Sequence, residues 1–171
     1  MLKRIGLVAV VMVACTLPAH ADTFNVDVTH SSVGFAVRHF AVSKVRGQFG
    51  DFAGTIAYDP VDTSNWSADI IIQAASVDTR DSSRDKHLRS EDFFDVAKFP
   101  IITFKSKKVI SRGNNTFDLL GDLTMHGVTK PVTLAVEMLG MVEGERFGKK
   151  IGFTASTRIN RMDYGTKFNM L

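Results

Sequence analysis

The sequence predicts an all-β fold: an antiparallel β-barrel with one short helix in the connection spanning residues 76–98. Three observations predict it. Apolar residues alternate with polar or small ones in segment after segment. Turn signals containing glycine or asparagine separate the segments, and a single long stretch breaks the alternation. A side-chain period of two puts each apolar set on one face. Single-sided strands in this number imply antiparallel pairing around an interior. A closed barrel also removes the exposed edges such strands would present. A β-sandwich would alternate in the same way, so periodicity alone leaves that architecture open.

The segments run as follows. Phe24, Val26 and Val28 alternate with Thr23, Asn25 and Asp27, and Val33, Phe35 and Val37 continue the pattern. Phe52, Gly54, Ile56 and Tyr58 share one side of the next segment, then Ala68, Ile70, Ile72 and Ala74, then Ile102 and Phe104. Phe117, Leu119, Gly121, Leu123 and Met125 form another set. Val132, Leu134, Val136 and Met138 follow, with Ile151, Phe153, Ala155 and Ile159 last. Gly113-Asn114-Asn115, Met125-His126-Gly127 and Glu143-Gly144-Glu145 read as hairpin connectors. In the irregular stretch, residues 81–89 read as a short helix, with Ser82 and Asp85 at capping-box spacing. Phe93 and Phe94 follow it between Asp92 and Asp95, as a lid or as a plug for one barrel end.

The first residues carry an export signal. Lys3 and Arg4 precede an apolar run from Ile5 to Leu17, and Pro18-Ala19-His20-Ala21 offers small residues for cleavage before Asp22. The expected organisation is therefore a leader, residues 1–21, and a single domain, residues 22–171, that does not span a membrane. Cys15, the one cysteine, leaves with the leader, which excludes disulfides and thiol chemistry from the domain. Two of the 21 cations also leave, so a balance of 19 against 18 acidic residues gives +1, far from a nucleic-acid-binding surface.

The interior is built from phenylalanine: 13 Phe stand against one Trp and two Tyr, so the rings bring few polar handles. Rings beside glycine or alanine either interlock into a solid core or leave a tube able to hold one ligand. No catalytic or metal pattern stands out. His30, His39, His87 and His126 are scattered without HxH or HExxH spacing, His126 reads as a turn residue, and no serine is framed as GxSxG.

Four stretches in order are specific in combination. They are His39-Phe40-Ala41-Val42-Ser43-Lys44-Val45-Arg46-Gly47-Gln48-Phe49 with Phe52 and Gly54; Arg84-Asp85-Lys86-His87-Leu88 through Asp92-Phe93-Phe94-Asp95 to Phe99–Ser106; Gly121-Asp122-Leu123-Thr124-Met125-His126-Gly127 through Val132; and Arg158–Gly165. Together they resemble the YceI-like family over residues 22–171. The resemblance implies a lipocalin-like barrel in the periplasm, holding a polyisoprenoid, such as an isoprenoid quinone, or a similar long-chain amphiphile. No cofactor is implied beyond that lipid, and a homodimer is compatible with it. Members of the family usually continue with one more strand where this chain stops at Leu171, so the closure of the barrel seam is an open expectation.

On that basis Phe35, Val37, Phe52, Ile56, Ile70, Ile72, Phe104, Leu119, Leu123, Leu134 and Phe153 are expected to line an apolar cavity, with Phe93 and Phe94 near its mouth. Asp78, Arg80, Asp81 and His87 are candidates for a polar mouth that meets a head group, the alternative being a solvated, salt-bridged loop. The rival readings are an enzyme acting on a lipid in the same cavity and a solid barrel that binds partners through its outer surface.

Overall fold

A computed structural model describes residues 21–39 and 42–166. The expected leader up to His20, with Cys15, lies outside the described residues, as do Phe40 and Ala41 of the first signature stretch and residues 167–171.

The described chain is mostly β. Its strands are β1 (Asp22–Asn25), β2 (Val33–His39), β3 (Ser43–Phe49), β4 (Phe52–Tyr58), β5 (Ser67–Gln73), β6 (Val77–Asp78), β7 (Ile101–Gly113), β8 (Thr116–Met125), β9 (Val128–Gly144) and β10 (Gly148–Ser156). One helix, α1 (Ser82–Arg89), lies in the long connection. Seven strands form an antiparallel sheet in the order β1-β4-β5-β7-β8-β9-β10, and β2-β3-β6 form a smaller sheet. The large sheet curls until its two edge strands meet: Lys149 of β10 forms an ion pair with Asp22 of β1, and Lys150 reaches Asp27 at 3.6 Å. Among the described residues, side chains rather than a backbone ladder bridge that seam, and the sheet forms a curled half-barrel.

The hairpin turns follow from residues that tolerate left-handed backbone. His126 and Gly127 have φ of +52° and +73°, as the tight two-residue turn between β8 and β9 requires. In β7 a register shift between Ser106 and Lys108 changes which residues face inward. Phe104 opposes Leu123 before the shift, and Val109 opposes Leu119 after it. This explains why the sequence alternation in this segment stops at Phe104 although the strand runs on to Gly113.

The helix is capped differently from expectation. Asp81, not Ser82, is the cap, its carboxylate accepting from Ser83 N at 3.1 Å and Arg84 N at 3.0 Å. Asp85 reaches back past the helix start to Thr79 and is buried, accepting from Thr79 N at 2.9 Å and Thr79 Oγ1 at 2.6 Å. A buried carboxylate with two donors is worth more as an anchor than as a cap.

One end of the barrel is packed solid. Phe49, Phe52, Ile72, Ala74, Val77, Ile102, Met125 and Tyr164 form a buried cluster, with Phe104 buried beside Ile70 and Leu123. Here the glycines receive rings instead of leaving space. A Cβ on Gly47 would come within 2.4 Å of the Phe35 ring, and one on Gly121 within 2.6 Å of the Phe104 ring. Small beside large therefore means interlocking at these positions.

Candidate functional site

Away from the packed end, the inward face of the sheet is mostly apolar, with Ser111 beside Phe117, and is only half-buried. The register aligns Val109, Leu119 and Leu134 in one row and Phe117, Val136 and Ala155 in the next. Met138 opposes Phe153 beyond them. Apart from the exposed Ala155, these side chains keep partial contact with solvent although they face the concave side. Ile56 and Ile70 face them from β4 and β5, likewise half-buried. The concave side is thus a greasy trough with a solid floor at one end.

Aromatic rings close round the other end. Trp66 lies 4.7 Å from Tyr58, 4.7 Å from Phe117 and 6.0 Å from Phe153, measured between ring centroids. Because Tyr58 is in β4 and Phe153 in β10, Trp66 spans the trough between opposite walls. Asp59 puts it there. Its buried carboxylate accepts from Val61 N at 2.8 Å, Asp62 N at 3.1 Å and Asn65 Nδ2 at 2.8 Å, which folds residues 59–65 into a tight loop. The Asp59 carbonyl then accepts from the Trp66 indole N–H at 2.6 Å.

These bonds, with Asn65 the strongest influence, hold the Asp59 carboxyl below the usual carboxylate range. A lowered folded-state pKa means stability that is present above the unfolded value, roughly 4, and lost as pH falls through the folded value. Asp59→Asn is expected to lower Tm at pH 7, to flatten the decline of Tm between about pH 5 and 2, and to shift Trp66 emission to the red. Thermal unfolding followed by the single tryptophan checks all three. An unchanged pH profile in the variant contradicts the role given to Asp59.

The expected site residues divide between the two ends. Leu119, Leu134 and Phe153 line the half-buried trough, with Ile56 beside them, whereas Phe52, Ile72 and Phe104 belong to the packed floor and Ile70 and Leu123 pack against it. Phe35 stacks on Phe49, and Phe49 on Phe94, with centroids 5.7 Å and 5.6 Å apart, so Phe94 plugs the packed end. Val37 lies in the smaller sheet and is 37% exposed. Phe93, half-buried, packs edge-on against the His87 ring and lies beneath the Arg161 guanidinium.

The candidate polar mouth lies at the packed end, near the plug, and several of its groups have local partners. Asp78 accepts from Arg80 N at 2.8 Å, where Arg80 adopts φ of +63°; Asp81 caps α1; His87 Nε2 meets Asp92 at 3.0 Å. Periodicity did not single out Trp66, because it follows a 3-10 turn outside any strand, nor Asp22 and Lys149 at the seam. Among the described residues no three His, Cys, Asp or Glu side chains come together in an arrangement that could hold a metal ion.

Comparison with known proteins agrees with this geometry. A YceI-like domain model matches residues 24–171. The chain belongs to the YceI-like family. A UPF0312 protein of Vibrio cholerae serotype O1 is 35% identical over 164 residues, covering 96% of this chain and 87% of its own. Another, of Shewanella denitrificans, is 38% identical over 141 residues, covering 82% and 74%. Among solved structures, a YceI protein of Campylobacter jejuni superposes with a TM-score of 0.69 at 36% identity, covering 82% of each chain. BcnA of Burkholderia cenocepacia gives 0.64 at 30% identity, covering 67% and 72%.

The YceI-like signature stretches have a physical job in this structure: they tie down the packed end. Arg84 donates from Nε to Thr79 Oγ1 at 2.8 Å and from Nη2 to the Thr79 carbonyl at 2.9 Å, and Arg89 Nη2 reaches the Val77 carbonyl at 2.6 Å. His126 Nδ1 lies 3.1 Å from the Tyr164 carbonyl, which holds the 3-10 turn Arg161–Tyr164 against the β8–β9 hairpin. Tyr164 is almost fully buried there, and its hydroxyl is pushed above the ordinary range by that burial.

Proposed function

We propose that this protein binds and carries a long-chain amphiphilic lipid of the polyisoprenoid type, acting in the periplasm after its leader is removed. The single observation that carries the reading is the continuous apolar wall formed by Val109, Leu119 and Leu134 with Phe117, Val136 and Phe153. It faces the concave side yet stays half-buried. Apolar surface left open to water on the inside of a fold is unfavourable until something covers it. A slender hydrocarbon chain has the shape to lie along a trough floored by Phe52, Ile72 and Phe104, with its polar head at the Trp66 end. Membership of the YceI-like family and the export signal expected from residues 1–21 support the same reading.

Binding of this kind requires no catalytic group, only shape and apolar area. The test is extraction of the purified mature protein into organic solvent followed by mass spectrometry. The expected result is one lipid with a long isoprenoid chain in near-stoichiometric amount. Protein that is empty as isolated and takes up no added isoprenoid overturns the reading. Chemical conversion of the added lipid replaces carriage with catalysis.

A further inference from the structure

We propose that Lys149 and Asp22, facing inward at the open end of the trough, read the head of the bound amphiphile and select a neutral carbonyl or hydroxyl oxygen over a phosphate. The inference rests on the lipid-carrier reading and names the polar contact for its head. Register puts the pair on the inside. Asp22 opposes Tyr58 across β1 and β4, and the next pair on that face is Phe24 with Ile56. Directly opposed residues share a face, so Asp22 lies on the side where Tyr58 meets Trp66 and Phe153. On β10, Lys149, Ile151 and Phe153 alternate onto one face, and Phe153 lies 6.0 Å from the Trp66 ring. The ion pair therefore closes a polar collar beside the aromatic rings, with Glu143 opposite Lys149 on β9.

Exposure sets this pair apart. The Lys149 side chain is 30% exposed, whereas the four other lysines with carboxylate partners among the described residues are 56–76% exposed. Its stem lies along the wall and its ammonium stays at the rim. The bond to Asp22 is the chief cause that raises this ammonium above its ordinary range, and Glu143 and Tyr58 add to it. The charge around the collar decides which head fits. Asp22, Glu143 and, one residue beyond Tyr58, the buried Asp59 supply three carboxylates. Against them stand Lys149 and the α-amino group that removal of the expected leader would leave on Asp22. A phosphate brought here meets those carboxylates and gains a cation only by breaking the Lys149–Asp22 pair. A carbonyl or hydroxyl oxygen needs one N–H, and an ammonium has three, of which Asp22 takes one. A few polar groups placed at the rim of an apolar site are enough to fix the direction and choice of a ligand.

The experiment follows Trp66 emission while the full mature protein is titrated with geranylgeraniol, with geranylgeranyl diphosphate and with squalene, which has no head. The wild type is expected to bind the alcohol about tenfold more tightly than the diphosphate. Lys149→Met is expected to weaken the alcohol about five- to tenfold and to leave squalene unchanged, which shows that the trough is still formed. The double variant Asp22→Asn with Glu143→Gln leaves Lys149 without its neighbouring carboxylates. It is expected to tighten the diphosphate about tenfold, a gain that misfolding cannot produce. A wild type that binds diphosphate and alcohol equally, or a Lys149→Met variant that loses squalene as steeply as the alcohol, overturns the proposal and leaves the carrier reading standing. So does a double variant that gains nothing for the diphosphate. Failure of all three compounds to bind the wild type overturns the carrier reading, and the proposal with it.

Discussion

Leu119→Asp is expected to weaken the binding of an isoprenoid chain by about two to three orders of magnitude while leaving the fold intact. Leu119 stands in the middle of the half-buried wall, opposite Val109 on one side and Leu134 on the other. A carboxylate there keeps its hydration shell and displaces the adjoining hydrocarbon. A five-carbon unit removed from the trough forfeits roughly 3–4 kcal/mol of transfer free energy, at about 0.8 kcal/mol per methylene. Each 1.4 kcal/mol is tenfold in affinity, which gives the expected loss. Trp66, in contact with Phe117 and Phe153, is the natural reporter. Titration with an isoprenoid quinone should quench its emission in the wild type and require far more ligand in the variant. Equal titration curves would remove the chain from this wall.

Phe104→Ala, at the other end of the same interior, is expected to cost about 3–5 kcal/mol of folding stability. Phe104 is 6% exposed, pairs with Ile70 and Leu123 in register, and fills the space above Gly121 that a Cβ could not enter. Truncation leaves a cavity that neighbouring strands, fixed by their ladders, cannot collapse to fill. Urea unfolding measures the difference from the shift in midpoint at unchanged slope. A loss below about 1 kcal/mol would mean that the floor is not packed as described. The contrast between the two substitutions separates the halves of the interior: one leucine matters to the ligand, one phenylalanine to the fold.

The sequence made much of this legible because period-two alternation is a local property. β4, β8 and the inward faces of β5 and β9 follow directly from it. β3 is less visible, since Ser43, Val45 and Gly47 offer little contrast with Lys44, Arg46 and Gln48. In β7 the bulge after Ser106 reverses the inward parity, and a strand of thirteen residues reads as two apolar positions. Around α1, spacing alone could not distinguish a capping Ser82 from a capping Asp81. The choice depends on whether Asp85 has a better partner, and Thr79 provides one.

By itself the sequence determined the class of the fold, the phenylalanine-rich interior and the family, because each is written in neighbouring residues or in the order of short blocks. Only the tertiary structure decided which part of the interior is solid and which is open. That depends on contacts between residues far apart in the chain: Trp66 against Phe153, and Lys149 against Asp22 across 127 positions. Curling a sheet brings its edges together through the accumulated twist of every strand between them, and no local pattern carries that sum.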